Sequence, residues 1–124
     1  MRTSLILVAA VLAVLGSTVA FAADKTGTTG ADRIAGTRAA DRLYGLAGDD
    51  RLAGRAGDDL LSGDQGRDRL LGGPGNDALL GGAGRDRLNG GVGADTLSCG
   101  AGRDVAITDG LDTVGSDCEL VRSE

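Results

Sequence analysis

Apolar residues fall on every ninth position through most of this chain: Ile34, Leu43, Leu52, Leu61, Leu70, Leu79, Leu88 and Leu97, ending in Ala106. Two places before each stands an aspartate: Asp32, Asp41, Asp50, Asp59, Asp68, Asp77, Asp86, Asp95 and Asp104. Nothing is inserted or deleted across these nine copies. The first place of the unit is glycine at Gly27, Gly36, Gly45, Gly54, Gly63, Gly72, Gly81 and Gly90, and then Cys99. The fourth place is glycine at Gly30, Gly48, Gly57, Gly66, Gly75, Gly84, Gly93 and Gly102, with Ala39 the exception. A fixed period of this kind marks a repeat architecture. Gly-x-x-Gly-x-Asp is not helical, because each interior glycine costs about 1 kcal/mol against alanine. It predicts a tight turn, where glycine accepts positive φ and lets backbones pass closely. The remaining x-Leu-x predicts a minimal strand with its middle side chain on one face. Turn and strand repeated in register give an all-β solenoid of parallel strands, cored by stacked leucine rows that no single unit could bury alone.

Composition agrees with that core. The chain has 124 residues with 23 Gly, one Phe, one Tyr and no Trp, so aromatic packing cannot anchor it. The net charge of -5 is mild and names no partner. Histidine is absent, which removes the commonest general base and zinc ligand. Ser62, Ser98, Ser116 and Ser123 therefore lack a histidine partner, and no carboxylate pair stands apart from the repeat. The pattern argues against an enzyme.

Residues 1–22 differ from the rest. Arg2 precedes an unbroken apolar stretch from Leu5 to Leu15, and Ala20-Phe21-Ala22 fits a small-x-small cleavage pattern. The expectation is a signal peptide cut after Ala22 and a secreted chain; the alternative is an uncleaved anchor over the charge-free Leu5–Ala23. No apolar span follows it, so pore formation and a membrane span in the mature chain are not expected.

The aspartates require an explanation of their own. Stacked units bring equivalent carboxylates about 5 Å apart, which is repulsive without an intervening cation. Nearby arginines are one source of positive charge. An aspartate among glycine-turn carbonyls is also an oxygen-only ligand set, which suits Ca²⁺ better than Mg²⁺; the hard cation is the preferred reading.

With Gly72-Gly73-Pro74-Gly75-Asn76-Asp77-Ala78-Leu79-Leu80 and the following Gly81–Asn89 as its clearest copies, the run resembles the RTX family of haemolysin-type calcium-binding nonapeptide repeats. The resemblance spans Gly27 to about Ile107. It implies a parallel β-roll with two repeats per coil and several Ca²⁺ ions held between stacked turns. Asp32, Asp50, Asp68, Asp86 and Asp104 would then line one edge, and Asp41, Asp59, Asp77 and Asp95 the other. The turn glycines would be Gly45, Gly48, Gly54, Gly57, Gly63, Gly66, Gly72, Gly75, Gly81, Gly84, Gly90 and Gly93. Thr28, Thr37, Leu46, Arg55 and Asp64 depart from the second-place glycine, and Ala39 is costly if its site needs positive φ. The expected organisation is a signal peptide over 1–22, a short lead over 23–26, the β-roll over 27–107 and a C-terminal cap over 108–124.

Two further features depend on that coil length. Cys99 and Cys118 would sit on adjacent coils near 5 Å apart, within reach of a disulfide that staples the last edge. The period also breaks there, since Asp112 follows Asp104 by eight places. On one sheet the outward seventh places are Arg33, Arg51, Arg69 and Arg87, with Arg67, Arg85 and Arg103 on the same side; the other sheet carries Arg42, Leu60, Ala78 and Thr96. The expected function is a secreted calcium-binding β-roll that folds on binding Ca²⁺. The alternative is a Ca²⁺-dependent, adhesin-like binder of anionic extracellular or cell-surface polymers through the arginine face. Exposed arginines also serve solubility alone. Nucleic acid is not expected as a partner, because stacking aromatics are missing.

Overall fold

A computed structural model describes residues 21–123. The expected signal sequence therefore lies almost wholly outside the described residues. Among those residues every regular element is a strand: β1 (Ala23–Thr26), β2 (Arg33–Ala35), β3 (Asp41–Tyr44), β4 (Arg51–Ala53), β5 (Leu60–Gln65), β6 (Arg69–Leu71), β7 (Ala78–Ala83), β8 (Arg87–Asn89), β9 (Thr96–Ser98), β10 (Val105–Thr108), β11 (Thr113–Val114) and β12 (Leu120–Ser123). Odd-numbered strands form one six-stranded sheet in the order β1-β3-β5-β7-β9-β11, and even-numbered strands form the other. The pairings are parallel. Partners such as Leu43↔Leu61, Leu61↔Leu79 and Leu79↔Leu97 are two repeats apart. The expected parallel β-roll, one coil per two repeats, is the observed fold.

Eighth-place side chains from both sheets meet in the middle. Leu43, Leu52, Leu61, Leu70, Leu79, Leu88, Leu97 and Ala106 are buried there with Cys99, and Ile34 and Val114 pack against the two ends of the rows. Each buried leucine contributes about 2 kcal/mol by transfer from water. No aromatic is needed, because the sheets lie close enough for one leucine from each to fill the gap.

Both end segments take part in the sheets. The segment expected as a lead, Ala23–Thr26, is the first strand of a sheet and pairs with β3 from Ala23 onward. The segment expected as a cap supplies the last strand of each sheet, β11 and β12. Their registers, Thr96↔Thr113 and Val105↔Leu120, show a closing coil shorter than the others. Cys99 and Cys118 are joined by a disulfide with Cα atoms 5.0 Å apart. The staple thus closes a shortened coil rather than a full one. No helix among the described residues is long and apolar enough to cross a membrane.

Candidate metal centre

Each sixth-place aspartate ends a turn and begins a strand, so its backbone sits in the parallel ladder while its side chain folds inward. Asp41, Asp50, Asp59, Asp68, Asp77, Asp86, Asp95 and Asp104 are buried, none above 3% exposed. Asp32, in the first coil, is half-buried. The carboxylates form two columns in the expected order, along opposite edges of the roll.

The spacing did not reveal what one oxygen of each carboxylate does. The N–H of each aspartate donates to Oδ1 of its counterpart one coil on: Asp32 to Asp50, Asp50 to Asp68, Asp68 to Asp86 and Asp86 to Asp104 in one column. Asp41 to Asp59, Asp59 to Asp77 and Asp77 to Asp95 form the other. These bonds run from 2.6 to 2.9 Å. Asp112, which follows the break in period, continues the second column by accepting from Asp95 N–H at 2.9 Å. Half of each carboxylate from Asp50 to Asp104 is thus structural.

The other half has no partner. Oδ2 of Asp50, Asp59, Asp68, Asp77, Asp86, Asp95 and Asp104 is buried and receives no hydrogen bond. A buried carboxylate oxygen without a donor is costly enough to need an explanation. Its surroundings supply more oxygen. A Cβ placed on Gly45 would lie 2.5 Å from Asp50 Oδ2 and 2.9 Å from the carbonyl oxygen of Gly63, one coil further on. Gly54 and Gly72 border the corresponding spaces beside Asp59 and Asp77. Among the described residues no three His, Cys, Asp or Glu side chains converge on a point. A cation here would therefore take its ligands from one carboxylate oxygen and backbone carbonyls. That set, all oxygen and built on flexible turns, fits calcium.

Turn glycines divide into two groups. Fourth-place Gly48, Gly57, Gly66, Gly75, Gly84 and Gly93 have φ between 95° and 132°, the left-handed region. First-place Gly45, Gly54, Gly63, Gly72, Gly81 and Gly90 do not; a side chain there would run into the aspartate or the next coil. Second places are left-handed too, at Gly73, Gly82, Gly91 and Gly100 and also at Leu46, Arg55 and Asp64, with φ of 76°, 75° and 73°. Those three non-glycine residues hold a strained conformation that the repeat imposes.

The first coil is built differently. Neither Ala39 nor Gly30 is left-handed, nor are Thr28 and Thr37, so the cost expected of Ala39 is not incurred. Thr28 N–H donates to Asp32 Oδ2 at 2.6 Å, and its hydroxyl donates to the same carboxylate at 3.0 Å. Thr37 treats Asp41 in the same way, its hydroxyl 3.0 Å from Oδ2. Each hydroxyl also accepts from the backbone two residues on, Gly30 and Ala39. Asp32 and Asp41 are therefore satisfied by the chain itself. So is Asp112 at the far end, where Oδ2 accepts from Asp109 N–H at 3.1 Å.

Burial sets the proton affinity of the orphaned acids. It pushes the Asp77 and Asp86 carboxyls up to about 7 and those of Asp59 and Asp68 to about 6. The amide bond to Oδ1 opposes the rise, and neighbouring aspartates add to it. Asp50, Asp95 and Asp104 are raised for the same leading reason. Asp117 is lowered by the donors it holds, Gly100 N–H at 2.8 Å and the Ser98 hydroxyl at 2.9 Å.

The family model for the RTX calcium-binding nonapeptide repeat matches this chain in four overlapping copies, over residues 26–61, 46–79, 62–97 and 71–106. These cover well over half of the sequence, and the chain belongs to that family. No match was found among curated proteins or among solved structures. Calcium is accordingly the ligand of this fold, and the protein is a calcium-binding β-roll.

Proposed function

We propose that the chain is a secreted structural or interaction module whose inner coils are assembled by Ca²⁺ at the seven orphaned aspartates, Asp50 to Asp104. The observation that carries this is the row of buried, unpartnered Oδ2 atoms. Bound calcium would supply the positive charge that this row lacks. The chain's own residues do the rest: Oδ1 locks each coil to the previous one, first-place glycines keep the space beside Oδ2 open, and fourth-place glycines turn the chain within it. Asp32 and Asp41, with threonine donors in place, need no ion on this reading. The family is one of structural and calcium-binding rather than catalytic repeats, and the absence of histidine fits a non-catalytic role. The Met1–Ala22 leader and the Cys99–Cys118 disulfide support export to an oxidising compartment.

Calcium titration at neutral pH, followed by far-UV circular dichroism and calorimetry, tests the reading. Strand signal should appear with saturating uptake of several ions. Full strand signal in excess chelator would overturn it.

A further inference from the structure

Arg33, Arg51, Arg69 and Arg87 stand directly opposite one another on the outer face of β2, β4, β6 and β8. All four are exposed. Like charges in direct register weaken a sheet, and neither the seventh nor the ninth places of these strands hold an acid to offset them. Among the described residues the only ion pair joins Arg42 to Asp24, 2.7 Å apart on the other sheet. The lone arginine of one face is thus partnered, while the four of the other are not. Solubility calls for mixed signs rather than a single-sign column. Beside the arginines runs the ninth-place row, whose Leu71 is 47% exposed. Together the two rows border an open groove of about 590 Å³.

We propose that this face binds a linear acidic polysaccharide lying across the strands, the carboxylates on its facing side pairing with arginines of the column. Successive strands are about 4.8 Å apart, so alternate arginines recur over roughly the length of two pyranose residues, the interval at which a two-fold polyuronate turns carboxylates to the same side. Each guanidinium offers a planar fork that matches a carboxylate bidentately. The apolar row gives the C–H face of the sugar a surface, for which a purely ionic polymer has no use. Nucleic acid would want stacking aromatics, and none lies on this face: Tyr44 belongs to β3, and Phe21 falls within the proposed leader. The inference rests on the proposed function only in needing calcium to hold the arginines in register.

The test is binding of the calcium-loaded chain to a short oligogalacturonate and to its fully methyl-esterified form, with circular dichroism on every sample. Arg51→Gln combined with Arg69→Gln should weaken binding to the acidic oligomer at least about tenfold while strand signal is kept. Arg38→Gln with Arg55→Gln removes the same charge from the turns and should stay within about twofold of the parent. Arg51→Lys with Arg69→Lys keeps charge but loses the fork, and should fall between the two. Affinity should drop steeply with salt. Equal loss in the turn variant, equal binding of the esterified oligomer, or tighter binding of single-stranded DNA or polyphosphate would overturn the proposal. Strand signal that persists in chelator would count against the calcium reading alone, leaving the arginine comparison to decide this one.

Discussion

The first coil and the inner coils solve one problem in two ways. Both fold an aspartate inward from the same place in the repeat, and both must satisfy its second oxygen. In the first coil Thr28 and Thr37 supply an amide and a hydroxyl. In the inner coils the second place is left-handed, no donor comes, and Oδ2 is left bare. A turn of either kind has room for the acid. The comparison teaches that equivalent aspartates are not equivalent acids; the conformation at the second place decides whether the chain itself completes the carboxylate or leaves its Oδ2 unpartnered.

Acid should close the gap between the two regions most completely. The folded carboxyls of Asp59, Asp68, Asp77 and Asp86 lie at about 6 to 7, above the ordinary 3.8. Protons therefore favour the fold below the ordinary value, and that support is lost as pH rises through 6 to 7. Chelated chain should gain strand signal at about pH 4 relative to pH 8, and calcium affinity should weaken as pH falls through the same window. A chelated chain equally unordered at both pH values would break the argument from buried charge.

Glycine substitution comes next in size. Gly75→Ala puts a side chain at φ 127° and against the carbonyl of Gly57, so thermal unfolding of the calcium-loaded chain should show a loss of about 3 kcal/mol or more. Gly30→Ala meets only the Thr28 hydroxyl at 3.7 Å and has no positive φ, so its change should stay within about 0.5 kcal/mol.

Asp77→Asn and Asp32→Asn separate the regions by ion count. Calorimetry should show fewer calcium ions for Asp77→Asn and a loss of about 2 to 3 kcal/mol at calcium a hundredfold above the site's dissociation constant. In chelator at pH 8 the same variant should be more ordered than the parent, because a buried charge is gone. Asp32→Asn should leave the ion count unchanged; a lower count would place an ion in the first coil after all.

The smallest effects probe the second place itself. Thr37→Val removes a hydroxyl from Asp41 and should cost about 1 kcal/mol without changing calcium stoichiometry. Arg55→Gly relieves a left-handed non-glycine residue and should raise stability by about 1 kcal/mol in denaturant unfolding.

Much of the fold was legible in the linear pattern. The nine-residue recurrence of leucine and aspartate led to turns, short strands and stacked rows, because a period without insertions leaves few ways to bury one leucine per unit. The inward position of the aspartates from Asp59 to Asp95, and the turns made by the glycines between them, were legible for the same reason. The role of Thr28 and Thr37 was not, though threonine four places before an inward-facing aspartate is a readable signal. Neither were Asp49 and Asp58, whose exposed carboxylates accept from Arg67 and Asn76 N–H one coil on at 2.9 and 2.8 Å. Such bonds depend on which backbone donors an adjacent coil leaves free.

The chain's own letters determine the repeat, its length, the leucine rows, the acid at every sixth place and the family to which these point. All of these follow from spacing, which survives in one dimension. Tertiary structure alone decides that Oδ1 is consumed in joining coils, that Oδ2 is bare in seven places and covered in others, and that the closing coil is short. Those outcomes depend on distances between residues eighteen apart in sequence, and a donor or a carbonyl counts only once the coils are stacked.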